Sequence, residues 1–242
     1  VIWAPGNHEL WTPPSDPVQL RGAERYQGLV DRCRDAGVLT PEDPFPVWHG
    51  PGGPVTIVPL FTLYDYSWRA PGTTVEAALA DAHAATVVFT DEFLLHPDPH
   101  VSRAEWCRHR IAVTAERLDR LAPDTRTVLV SHWPLHRGPT RMLRRSQMAL
   151  WCGTDLTQDW HLRYRAAAVV YGHLHIPLTL EFDGVRFEEV SLGYPREWRR
   201  RGDGRPVPLR RILPADPRRH PQNDLLEAVA TRRAAFHPSL RA

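Results

Sequence analysis

Apolar runs that stop abruptly at polar or glycine-bearing turns set the rhythm of this chain. Residues 1–5 read as a short buried strand running into Gly6. Asp16-Pro17 carries an N-cap and first-turn signal. Leu20, Leu29, Val30 and Cys33 then keep a rough helical period up to Gly37, a suitable residue just past a helix end. Residues 40–54 are rich in Pro and Gly and predict loop. The run VTIVPLFTLYD (55–65) is strand-like, with Pro59 pointing to an edge or bulge. ALADAHAATVVF (78–89) fits helix or strand. Ser102-x-x-Glu105 is a capping box; it opens a helix to about Leu121, with Ile111, Leu118 and Leu121 among its apolar positions. RTVLVSHWPLH (126–136) and RAAAVVYGHLH (165–175) share one plan, a buried strand followed by a turn bearing histidine. LTLEFDGVRFEEVSL (178–192) alternates around Asp183-Gly184 and predicts a hairpin. From Arg196 the chain is rich in Arg and Pro with weak periodicity, and order is expected to be partial until a short helix near 223–234. The pattern predicts a layered α/β protein without internal repeats.

Composition changes this picture little. A chain of 242 residues is long enough for one domain with a real core. Hydrophobic content of 42% and charged content of 24% are ordinary for a globular protein. No apolar run approaches the ~18 residues of a transmembrane helix, and no leader pattern opens the sequence. The formal net charge of +2 is too small to imply a polyanionic partner, although every basic residue is arginine. Three cysteines, Cys33, Cys107 and Cys152, form no CxxC pair. A disulfide framework is therefore not expected, and a reducing cytoplasm fits. The 13 histidines change the picture more, because several fall in short clusters.

Three blocks stand behind apolar runs: Gly6-Asn7-His8-Glu9, Ser131-His132 and Gly172-His173-Leu174-His175. Open α/β sheets gather ligands at the carboxyl ends of their strands, so these blocks can converge although far apart in sequence. Imidazole and amide oxygen suit divalent transition ions. His173 and His175, two apart on an extended segment, face the same way and can reach one ion or two neighbouring ions. Gly6 and Gly172 permit close backbone approach.

The constellation resembles the calcineurin-like metallophosphoesterase superfamily. Its pattern is Asp-x-His, Gly-Asp, Gly-Asn-His-Asp/Glu, a lone His and Gly-His-x-His, and the last three blocks are present as GNHE, SHWPLH and GHLH. The resemblance implies a four-layer α/β/β/α sandwich over residues 1–195, with 196–242 as an Arg/Pro-rich extension. It implies hydrolysis of a phosphate mono- or diester of a small phosphorylated substrate by metal-bound hydroxide. Two divalent ions of Mn, Fe or Zn would serve the complete enzyme. Asn7, His132 and His173 would ligate one metal, His175 the other, and His8 would be catalytic beside the phosphoryl group. The first two blocks cannot precede Asn7 within six residues. The expectation is therefore a fold incomplete at its N-terminus, with reduced metal occupancy and little activity. A non-catalytic metal- or polyanion-binding protein on the same fold is the alternative.

Other residues leave alternatives open. His136 and Arg141 can line a substrate pocket, Arg by bidentate contact with phosphate oxygens, or belong to a solvated basic loop. Trp151 and Trp160 can wall the pocket or pack in the core. Glu9 can orient an imidazole or face solvent, and Tyr64 or Asp65 can reach the cleft rim. The arginines at 196, 199, 200, 201, 205, 210, 211, 218 and 219 can meet phosphate backbones. With Trp198 the single aromatic among them, a solvated flank against acidic surface is the favoured reading, and nucleic acid is not an expected partner.

Overall fold

The structure, a computed structural model, describes residues 1–200 and 209–236. Six strands form one sheet: β1 (Val47–Trp48), β2 (Val55–Pro59), β3 (Thr127–Val130), β4 (Ala166–Tyr171), β5 (Thr179–Phe182) and β6 (Val185–Glu189). Their order is β1-β2-β3-β4-β6-β5. β2, β3, β4 and β6 run parallel, and β1 and β5 close the edges antiparallel. The α/β fold expected from the sequence is observed, with one six-stranded sheet among the described residues.

The parallel strands carry apolar side chains on both faces. Val58, Leu129, Val169 and Phe187 belong to the main core, whereas Val55, Val128, Ala168 and Val170 form a second cluster with Ile212 and Leu213 packed against it. Burial on both faces explains why these strands read as continuous apolar runs rather than alternating ones. Pro59 ends β2 without disturbing the ladder. The next amide, Leu60 N, donates to Val130 O at 2.8 Å, and β1 pairs only with Val55 and Thr56. Asp183 (φ 52°) and Gly184 (φ 76°) both sit in the left-handed region, which makes the β5–β6 connection a type I′ turn.

The helices are α1 (Asn7–Leu10), α2 (Gly22–Asp35), α3 (Val75–Ala84), α4 (Asp91–Leu94), α5 (Arg103–Leu118), α6 (Trp160–Arg163), α7 (Pro195–Arg200) and α8 (Asn223–Phe236). Several boundaries correct the sequence reading. α2 starts at Gly22, not near Asp16, because Asp16 Oδ1 takes the amide of Val18 at 2.8 Å in a local turn. Its end is as expected: Gly37 (φ 69°) follows it, and Val38 N returns to Cys33 O at 2.8 Å. Residues 1–5 form no extended strand, only a parallel bridge from Ile2 to Leu39. The ambiguous run 78–89 divides into the end of α3, capped at its start by Thr74, and a loop. In α5, Ser102 Oγ accepts from Glu105 N at 3.1 Å, while the Glu105 carboxylate reaches back to Val101 N at 2.8 Å.

The C-terminal segment packs on the β5–β6 edge. Asn223 exchanges two hydrogen bonds with the Glu181 backbone, and Leu226 is buried. Arg210 reaches the fully buried Glu188 at 3.0 Å. Gly202-Asp203, Arg201, Arg205 and His237 lie outside the described residues. Among the described residues no helix is long and apolar enough to cross a membrane.

Removing the α5 cap tests this account of its start. Ser102→Ala is expected to lower unfolding free energy by about 1 kcal/mol in urea titration. An unchanged midpoint would show that the Ser102 bond contributes nothing.

Candidate metal centre

The parallel β3 and β4 end at the same sheet edge, and each hands on to a histidine turn. Gly172 N donates to His132 O at 3.0 Å, which staples the two turns together. α1 delivers Asn7 onto this edge from the start of the chain. His132 Nε2 lies 3.0 Å from Asn7 Oδ1 and 3.0 Å from His173 Nδ1, joining positions 125 and 41 residues apart. The structure thus brings together three of the expected residues.

Gly6 makes the approach possible through space rather than backbone freedom. Its φ of −102° suits any residue. A Cβ there would lie 2.8 Å from His132 Nδ1 and 2.9 Å from its Cε1. The ring itself is held by Trp133, which packs edge-on at 4.9 Å between centroids. Asn7 has its amide oriented as well: Nδ2 donates to Asp91 Oδ1 at 2.8 Å, leaving Oδ1 toward His132. Trp11 Nε1 donates to the same Asp91 oxygen at 2.7 Å.

His8 and His175 stand apart from this trio. His8 is exposed, stacks on Trp11 with centroids 3.9 Å apart, and lies 3.4 Å from the Tyr194 hydroxyl. His175 Nδ1 pairs with Glu197 Oε2 of α7 at 2.8 Å, and its ring meets Tyr194 edge-on. Tyr194 therefore contacts both outer histidines. His136 points elsewhere: it packs on Phe182 at 4.2 Å and accepts from Gly138 N at 3.1 Å. Arg141 is exposed at the end of the short turn Gly138–Met142. Trp151 and Trp160 are buried, Trp151 stacking flat on Phe89, which in turn faces His173. Tyr64 is a core residue, Asp65 caps Ser67 N, and Glu9 faces solvent.

Burial governs the electrostatics. It holds His132 well below the ordinary imidazole range, with repulsion from His173, His8 and His175 adding to it. Burial, then His175, brings His173 to about 3. Partial desolvation lowers His8 too, although its ring meets solvent, against the pull of Asp91 and Glu9. All three rings are neutral at pH 7 and keep lone pairs to offer. Burial also raises the Asp91 carboxyl, opposed by the bonds from Asn7 and Trp11.

Two neutral imidazoles and an amide oxygen form a donor set suited to a divalent transition ion. Their 3.0 Å spacing equals the edge between neighbouring ligands bonded at about 2.1 Å to an octahedral ion. Among the described residues no group of three His, Cys, Asp or Glu is placed to hold a metal, since the third donor is Asn7. Asp91, Trp11, Tyr194 and Glu197 were not singled out from the sequence. Asp91 carried a signal, because VVFTDE repeats the plan of an apolar run ending in a polar turn.

A twisted α/β sheet with histidine turns at the carboxyl ends of its strands defines a class of metal-site hydrolase folds. Residues 1–177 match the calcineurin-like phosphoesterase family, and the chain belongs to it. It is a phosphoester hydrolase, which sets aside the non-catalytic alternative. It is 55% identical over 223 residues to the [acyl-carrier-protein] phosphodiesterase PptH of Mycobacterium tuberculosis (strain ATCC 25618 / H37Rv), covering 91% of this chain and 68% of the relative. The crystal structure of phosphopantetheinyl hydrolase (PptH) from Mycobacterium tuberculosis matches with a TM-score of 0.85 at 54% identity, covering 91% of this chain and 77% of that one. These matches do not support the expected impairment.

Two measurements check the geometry. Gly6→Ala forces the His132 ring aside and is expected to lower kcat/KM about 100-fold, since displacements near 1 Å have that effect. Wild-type kinetics in this variant would show that the ring has room. His136, whose burial brings it from 6.5 to about 4, binds a proton in the unfolded chain first. Its contribution is complete above about pH 6.5 and is lost as pH falls toward about 4. The thermal midpoint is expected to fall less between pH 7 and pH 5 in His136→Asn, which keeps an acceptor for Gly138 N, than in wild type.

Proposed function

We propose that this chain hydrolyses the phosphodiester that joins a phosphopantetheinyl group to an acyl-carrier protein, the substrate in the name of its relative. The observation that carries the reading is the convergence of Asn7, His132 and His173 on one point, with the exposed His8 next to Asn7 in the chain. The identity of 55% across 91% of the chain supports the substrate class.

Asn7, His132 and His173 would hold one divalent ion and His175 a second. Such ions supply positive charge at the phosphoryl oxygens and lower the pKa of bound water. The protein's own share is positioning. Buried neutral imidazoles spend no free energy expelling a proton before they bind a cation. His8 presents its ring toward solvent beside the trio, with its plane set by Trp11. There it donates a hydrogen bond to the leaving oxygen or to the phosphoryl group as negative charge grows. A bound phosphate opposes the burial effect on His8 and favours its protonated form. The Glu197 carboxylate fixes the His175 ring through Nδ1.

Incubating the chain and manganese with a phosphopantetheinylated carrier protein tests the proposal by intact mass. The expected result is loss of the phosphopantetheinyl mass, abolished by EDTA and restored by added manganese. His8→Ala is expected to lower kcat at least ~100-fold while retaining bound metal. A carrier protein left unchanged by metal-replete wild-type chain would overturn the reading.

A further inference from the structure

We propose that Asp91 is a positioning residue that decides which end of the Asn7 amide faces the metal point. This rests on the reading above in which Asn7 is a ligand. A side-chain amide is nearly symmetric in shape, and turning it by half a revolution exchanges oxygen for NH₂. Only the oxygen can bind a cation, so the site needs something that distinguishes the two ends. Asp91 does so, because its Oδ1 takes two N–H donors, Asn7 Nδ2 and Trp11 Nε1, and an oxygen engaged in this way is an acceptor. Its Oδ1 takes Asn7 Nδ2 at 2.8 Å, which leaves Asn7 Oδ1 3.0 Å from His132 Nε2.

The carboxylate is itself held. It has no solvent exposure, and the same oxygen takes Trp11 Nε1 at 2.7 Å. The segment behind it is tied to the stretch after α1 by Thr12 N donating to Leu94 O at 2.9 Å. Trp11 is also the ring on which His8 stacks. One buried carboxylate, at the start of α4, thus sets both the amide of Asn7 and the platform under His8. The hydrogen bond accepted from Nδ2 also polarises the amide, which strengthens its oxygen as a donor to a cation.

The test measures manganese affinity without substrate, by titration of the metal-free chain. Asp91→Leu, similar in size but unable to accept, is expected to weaken binding 10- to 100-fold. Asp91→Asn keeps an oxygen for the two donors and is expected to recover most of that loss. Asn7→Ala separates the two levels of the argument. Unchanged affinity in Asn7→Ala would overturn the ligand reading itself. Weakening in Asn7→Ala with none in Asp91→Leu would overturn the role of Asp91 alone. The double variant is expected to bind no more weakly than Asn7→Ala, and a further loss of the same size as in the single variant would mark general damage and overturn the proposal. The wild-type metal-free chain gives a measurement that needs no variant. One Asn7 side-chain amide proton is expected to be shifted downfield in NMR and protected from exchange, and rapid exchange of both would overturn the proposal.

Discussion

The two 3.0 Å contacts of His132 Nε2, with Asn7 Oδ1 and His173 Nδ1, impose a constraint that most of the structure answers. Three segments distant in sequence must reach one point within an ångström or less. Parallel pairing of β3 with β4 places two of them side by side at one edge of the sheet. The third arrives on α1, whose entry is possible because Gly6 has no side chain to strike the His132 ring. The sheet supplies direction and the glycine supplies room.

Holding imidazoles in such a place has an electrostatic consequence. Burial keeps His132 and His173 neutral, and repulsion from neighbouring imidazoles adds to it. Charged rings crowded this closely would repel one another, whereas neutral ones present lone pairs. The packing that enforces this is aromatic. Trp133 lies against both His132 and His173, and Phe89, stacked on Trp151, closes the far side of His173. Rings of this size exclude water and have few rotamers, so they fix orientation at little entropic cost.

The far edge of the sheet depends on a buried ion cluster. Glu188 has no exposure, and its carboxylate is met by Arg186 at 2.8 Å, Arg210 at 3.0 Å and the Thr179 hydroxyl at 2.8 Å. A buried carboxylate left without such partners is costly, so the Arg-rich segment and the β5–β6 hairpin are mutually required. Further along the chain, Tyr194 and Glu197 reach His8 and His175. The arginines of the segment thus divide between a structural clamp, in Arg210, and exposed positions such as Arg211 and Arg218.

Much of the fold was legible because its signals are local. Strands β3 and β4 follow from apolar runs, the hairpin from Asp183-Gly184, and the start of α5 from Ser102 and Glu105, since each depends on neighbours a few residues away. That Asn7, His132 and His173 would converge was legible too, from three blocks standing in a family's order. Failures came where local signals compete. Asp16 spends its carboxylate on a turn, so α2 begins later, and residues 1–5 find a single bridge to Leu39. The run before Asp91 fitted helix and strand alike, which hid the acid that holds the Asn7 amide. His136 shares a loop with His132 yet packs on Phe182, because four residues of turn are enough to point a side chain elsewhere. By itself the sequence determined β3, β4, the β5–β6 hairpin and the order of the histidine-bearing blocks. Only the tertiary structure decided which donors share a point and which way each faces, because that depends on contacts between residues far apart in the chain.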